Sequence, residues 1–137
     1  MRLMNSSLFK RLSKFARDGE GGATVEFVIW IPFFMGLILM ITDVSMLFTR
    51  QSNFWNVSRD TARIVARHGM DGAAAAEYAQ AHAAFGEFLP EISVEITSTE
   101  VTIAISALTA QVAPFGFFSF SDNARISARV TQALEPL

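Results

Sequence analysis

The side chains that could do chemistry in this chain are few and scattered. The two histidines, His68 and His82, have no cysteine or second histidine at the spacing of a metal site. No nucleophile elbow, phosphate-binding glycine loop or histidine-supported pair of catalytic carboxylates is present. The absence of cysteine excludes thiol chemistry and disulfide bonds. We therefore expect no enzyme activity, cofactor, metal or small-molecule substrate, and we expect both histidines at surface or helix-end positions.

Two acidic residues stand where charge is costly. Glu26 precedes a long apolar run, and Asp43 is the single ionisable side chain in the 22 residues from Phe27 to Phe48. A helix of that length measures about 33 Å and can cross a hydrocarbon core of about 30 Å. A buried helix in a soluble domain would rarely stay apolar on every face for so long. The run therefore predicts a membrane-spanning helix.

The charges on either side of this run predict its orientation. Residues 1–21 carry five basic and two acidic side chains, a net charge of +3, so residues 22–137 carry −5 of the total of −2. The first basic residue after the run is Arg50. Under the positive-inside rule the N-terminus stays in the cytoplasm and residues from about 50 onward are exported. The charge pattern does not resemble a nucleic-acid footprint. The run is also longer than that of a removable secretory signal, and no small-x-small cleavage pattern follows it.

The junction "EGGATVEFV" carries the most specific signal. Gly21 and Gly22 follow the basic leader, and Glu26 follows the glycines at the edge of the apolar run. Glycine has no side chain to obstruct another molecule, and it lets the backbone extend. Read from the residues alone, Glu26 is an ordinary first-turn acid favoured by the helix dipole.

These residues resemble the processing site of type IV prepilins, in which glutamate is fifth in the mature chain. Pro32, Asp43 and a small exported domain narrow the likeness to the TadE-like minor pseudopilins of tight-adherence (Flp, type IVb) pili. The detailed likeness covers roughly residues 15–70. It implies a cut by a membrane prepilin peptidase between Gly21 and Gly22, and a role for Glu26 in neutralising the new N-terminus. It also implies assembly with other pilins or pseudopilins and with the inner-membrane assembly platform.

The same residues support other functions less well. The main Flp pilin resembles a bare helix with a very short tail, and this exported head is too large for it. An unprocessed single-span protein whose periplasmic head scaffolds an envelope complex is the alternative, and cleavage distinguishes the two. A tethered periplasmic enzyme lacks any candidate catalytic group. The TadE and TadF types both fit, and so do entry into the filament and a role in initiation alone.

We expect an α+β chain with three segments. Residues 1–21 are a basic cytoplasmic leader, 22–48 the transmembrane helix, and 49–137 a periplasmic domain. The helix should continue to His68 with Gly69 as its stop, bury Phe54, Val57, Thr61, Ile64 and Val65 on one side, and bend mildly at Pro32. A short alanine-rich helix, ended by Gly86 and Pro90, and a three-stranded antiparallel sheet should follow. The strands are indicated by alternating apolar residues, namely Ile92, Val94, Ile96, then Val101, Ile103, Ile105, then Ile126, Ala128, Val130.

Three further features each allow two interpretations. Asp43 either stays hydrated near the outer interface or contacts a polar group on another membrane helix. Arg59, Arg63 and Arg67 follow Trp55 at i, i+4 spacing, either as a solvated face with a Trp–Arg contact or as a docking strip for acidic groups. The segment "PFGFFSF" either covers the apolar face of the sheet or forms a subunit contact. Its phenylalanines are Phe115, Phe117, Phe118 and Phe120.

Overall fold

The computed structural model describes residues 20–117 and 123–136, and it confirms the α+β class. Helix α1 is 47 residues long and continues through Pro32. A short helix, a hairpin, one further turn of helix and a third strand follow it along the chain. The elements are α1 (Glu20–Ala66), α2 (Gly72–Ala83), β1 (Glu91–Ile96), β2 (Glu100–Leu108), α3 (Thr109–Val112) and β3 (Arg125–Ala133).

The chain divides into two compact units, residues 1–39 and residues 40–137. In the first unit the described residues belong to α1. The second unit holds the rest of α1, both short helices and the sheet. The second unit therefore includes helix residues from Met40 onward. The start of the exported domain at residue 49 stays a prediction. The membrane boundary itself stays a prediction.

The sheet is an antiparallel meander in the order β1-β2-β3. Strand β2 is central, and its side chains alternate between buried and half-buried. This period of two sends every second apolar residue to one face, as the sequence predicted. Directly opposite residues share a face, which produces two apolar rows across the sheet. The rows are Val94–Ile103–Val130 and Ile92–Ile105–Ala128.

The core forms where α1 and α2 pack over that apolar face. Phe54, Val57, Thr61 and Val65 are buried, and Ile64 is half-buried, so the predicted helix face is confirmed. Helix α2 contributes only small side chains to this core, spaced one turn apart. These are Ala75, Ala79 and Ala83. Because alanine projects so little, α2 can lie close to its neighbours in the core.

Helix α1 ends at Ala66, two residues before the predicted His68, and its left-handed residue lies one position before the predicted Gly69. The N–H of His68 donates to the carbonyl of Val65, and the N–H of Gly69 donates to the carbonyl of Ile64, both at 2.9 Å. This is the Schellman arrangement, in which the left-handed residue is His68 (φ 57°) and not Gly69. Gly69 instead packs closely against Ile64. A Cβ there would lie 3.0 Å from the Ile64 side chain and 3.1 Å from its carbonyl oxygen.

Helix α2 also ends earlier than its glycine suggested. Asp71 caps its start by accepting a 2.8 Å hydrogen bond from the N–H of Ala74. The helix stops at Ala83 because Ala84 adopts an extended conformation. Gly86, at a φ of 57°, instead forms the turn between Phe85 and Phe88, which pair through main-chain hydrogen bonds. The glycine therefore shapes the following turn rather than the helix end.

Candidate functional site

The first half of α1 has the properties of a membrane span. Among the described residues, one helix is long and apolar enough to cross a membrane; an 18-residue window in it has a mean hydropathy of 2.2 and no buried residue. The apolar side chains from Val25 to Met35 are all exposed. In water this surface would be unfavourable, whereas lipid or neighbouring helices would cover it. This helix indicates a single-pass membrane protein.

The predicted cutting site lies in the first turn of α1. The helix begins at Glu20, so the bond between Gly21 and Gly22 is part of helical backbone. A Cβ built on Gly22 would meet nothing within 4 Å. The fold therefore gives no steric reason for glycine at this position. A requirement from outside the chain, such as access for a peptidase, would account for it.

Glu26 is exposed on the same helix, one turn after Gly22. The ion pairs in the described part of the chain join Arg67 to Glu135 and Arg125 to Glu91, and neither includes Glu26. Its carboxylate is thus available to an amine outside the helix. The predicted role in neutralising an N-terminus remains a prediction.

Asp43 is the feature that sequence reasoning placed least well. Its side chain is 0% exposed, so it is not the hydrated side chain that one interpretation expected. One carboxylate oxygen accepts a 2.9 Å hydrogen bond from the N–H of Phe115, and the other accepts a 2.7 Å bond from the N–H of Phe117. Contact with another membrane helix is untested, but both oxygens already have donors within the chain.

The phenylalanine segment does not cover the sheet with the two rings that are described. Phe115 is 56% exposed and Phe117 is 45% exposed, so that interpretation is wrong for both. The main-chain N–H groups of both residues donate to Asp43 of α1 instead. Phe118 and Phe120 lie outside the described residues. A subunit contact by this segment stays open.

The basic residues after Trp55 are exposed, but they are not equivalent. Arg67 pairs with Glu135 at 3.3 Å, whereas Arg59 and Arg63 have no ion pair in the described part of the chain. The cation–π contact among the described residues joins Arg50 to Phe85, with 4.1 Å to the ring centroid. It is not the expected contact between Trp55 and an arginine. A groove of about 300 Å³ lies beside Arg63 and Arg67. Docking of an acidic partner here remains a prediction.

Both histidines occupy the expected exposed, helix-end positions. His68 lies just after α1, and its Nε2 is 2.9 Å from the carbonyl oxygen of Glu135. His82 lies in the last turn of α2, stacked on Tyr78, with its Nδ1 2.8 Å from the Tyr78 carbonyl oxygen. Within residues 20–117 and 123–136, no three histidine or acidic side chains are grouped to hold a metal.

One ion pair links the outer strands of the sheet. Arg125 of β3 donates a hydrogen bond to each carboxylate oxygen of Glu91 on β1, one of them at 3.3 Å. It also donates to the hydroxyl of Ser106 on β2, which lies between them. The hydrogen bond and the positive charge of Arg125 lower the pKa of Glu91, and Glu91 raises the pKa of Arg125. Both groups are solvent-exposed, so this is a surface ion pair between strands and not a buried reactive site.

A single apolar helix joined to a small α+β head indicates a single-pass membrane protein. Residues 21–63 match the family model described as TadE-like protein. No curated protein and no solved structure gives a significant match. The resemblance to the TadE-like family is confirmed over these residues. The match supports the interpretation that the chain is a protein associated with tight-adherence pili.

Proposed function

We propose that the chain is a minor pseudopilin, cut between Gly21 and Gly22 by a prepilin peptidase and acting in assembly of an adhesive Flp-type pilus. Its role is structural, in the bacterial inner membrane, with a cytoplasmic leader and a periplasmic head. The observation that carries this proposal is the family match, which covers residues 21–63 and therefore most of α1. The open space around Gly22 supports it, since the fold itself does not require glycine there.

The electrostatics of the junction support processing before assembly. The leader has a net charge of +3. Each unpaired charge moved into hydrocarbon or a filament core costs several kcal/mol, so an uncut subunit could not bury this end. After the cut, the ammonium of Gly22 lies one turn from the exposed carboxylate of Glu26. A neighbouring subunit or the same chain can then satisfy both charges.

The exposed groups on α1 suggest two kinds of contact with other pilins and the assembly platform. The apolar side chains before Asp43 would pack against other membrane helices. Gly36 adds to this surface, because a Cβ there would meet nothing within 4 Å and a neighbouring helix can approach closely. Beyond the membrane, Arg59 and Arg63 would meet acidic groups of a partner.

Loss of the chain should block pilus assembly without removing the main pilin. In a bacterium that makes this protein and its pili, deletion should strongly reduce pilus number and adherence, because a minor component is missing. Pilus counts by electron microscopy and pilin levels by immunoblot check this. Re-expression of the wild-type chain is the control. Normal pili in the deletion strain would reject the assembly role.

Topology offers a separate prediction. The positive-inside rule puts the head outside the cytoplasm. A reporter that is active only outside the cytoplasm should be active when fused after Leu137 and inactive when fused after Arg17. A reporter that works only in the cytoplasm should give the opposite pair. Cytoplasmic activity after Leu137 would overturn both the orientation and the pilus role.

A further inference from the structure

The loop Pro114–Phe117, here called the Asp43-bound loop, is hydrogen-bonded to α1 through the side chain of Asp43. Both oxygens of the buried Asp43 carboxylate accept main-chain N–H groups of this loop, at 2.9 Å and 2.7 Å. Gly116, at a φ of 66°, lies between the two donors. That left-handed conformation favours glycine. It lets the N–H groups of Phe115 and Phe117 converge on one carboxylate.

The contact lies near the end of the apolar run. That run begins at Phe27, directly after Glu26. A helix crosses a hydrocarbon core of about 30 Å in about 20 residues, so a span that begins at Phe27 ends about one turn past Asp43. The loop bound to Asp43 is thereby held at the level where hydrocarbon meets headgroups.

Neighbouring groups on α1 suit an environment of low polarity. The hydroxyls of Ser45 and Thr49 each donate a 2.8 Å hydrogen bond to the carbonyl four residues earlier, so they need no water. Phe48 is 73% exposed. The same turns line an apolar groove of about 340 Å³, formed by Val44, Leu47, Phe48, Gln51 and Ile126. Exposed aromatic and aliphatic groups thus continue past Asp43.

We propose that the Asp43-bound loop is a membrane-interface anchor, in which Asp43 holds the backbone while Phe115 and Phe117 enter the outer leaflet of the bilayer that α1 crosses. About half of the surface of each residue is exposed. We assign phospholipid as the partner of these rings because Asp43, which holds the loop, belongs to the apolar run. Lipid surrounds the chain at that level, so no second protein is required to cover the rings. The carboxylate is tolerated there because two charge-assisted hydrogen bonds satisfy it.

Spin labelling of the full chain in phosphatidylcholine vesicles tests this anchor directly. Since the chain has no cysteine, one introduced cysteine gives one label. The label is placed at Phe115 or Phe117, with Phe34→Cys as a control within the span and Ser98→Cys as a control in the hairpin turn. Collisions with oxygen report lipid, and collisions with a nickel chelate report water. We expect both loop labels to lose nickel accessibility relative to Ser98 and to approach the Phe34 label.

Asp43 should control this insertion. In Asp43→Leu the loop loses both acceptors, so the Phe115 label should become as nickel-accessible as the Ser98 label. Asp43→Asn keeps one acceptor oxygen and should fall between. Asp60→Leu removes an exposed acid from the same helix and should change nothing. An unchanged Ser98 spectrum in each variant shows that the head is folded.

Two results would overturn the anchor. The first is a Phe115 label as accessible to the nickel chelate as the Ser98 label in the otherwise wild-type chain. The second is protection from both reagents together with spin–spin broadening, which would mean that a second copy covers the loop. Both readouts are independent of processing and pilus assembly, so this inference and the proposed function can fail separately.

Discussion

Replacing Gly21 with leucine should leave the chain in the membrane but uncut, with residues 1–21 retained. The wild-type chain from native membranes should begin at Gly22. The bond lies in the first turn of α1, so a peptidase must first unwind it. Glycine is about 1 kcal/mol less favourable than alanine in a helix, so the glycine pair makes unwinding easy. Leucine both strengthens the helix and adds bulk beside the bond.

Intact mass and N-terminal sequencing of protein from cells with the matching peptidase measure this effect. Gly36→Leu is the matched control, since it makes the same substitution on the span, far from the junction, and should be cut normally. Retention of Met1 in the wild-type chain, or a start near Thr49, would contradict the processing site. Retention of Met1 would favour the unprocessed single-span scaffold instead.

Glu26→Gln should still be cut after Gly21, yet it should fail in association with other pilins and in adherence. If Glu26 only favoured the helix dipole, its loss would cost at most about 1 kcal/mol. If it neutralises the new ammonium, the loss is larger, because unit charges about 4 Å apart attract by roughly 4 kcal/mol at an effective dielectric near 20, before desolvation. Glutamine accepts a hydrogen bond but cannot cancel the charge.

Crosslinking yield and pilus count for the cleaved variant beside the wild type provide the measurement. Glu20→Gln is the natural control, because it removes the same charge from the leader that the cut discards. Its assembly should equal that of the wild type. Wild-type assembly by cleaved Glu26→Gln would leave Glu26 as an ordinary acid at a helix start.

The periodicity of apolar residues predicted most of the fold. Alternation at Ile103 and Ile105 predicted β2, and helical spacing at Phe54, Val57 and Val65 predicted the buried face of α1, because each pattern reflects which side of an element meets the core. Helix ends were harder. His68, and not the neighbouring Gly69, takes the left-handed position, which residue type alone did not indicate.

Asp43 shows why part of the site escaped the sequence. Its partners are main-chain N–H groups, which every residue except proline carries, so no residue type marks them. They also lie far along the chain, beyond the reach of any local spacing rule. The nearby Gly116 was the available signal, as a residue permitting a sharp turn. Its meaning depended on the fold that brings the loop to the helix.

The pairing of Asp43 also has a consequence for how the protein is made. Asp43 and its first donor, Phe115, are 72 residues apart. Synthesis at about 5–20 residues per second separates them by roughly 4 to 14 s. During that interval the Asp43 carboxylate has no loop to bind it. Closing of the loop onto Asp43 is thus a late step in folding, which can occur only after most of the chain has been synthesised.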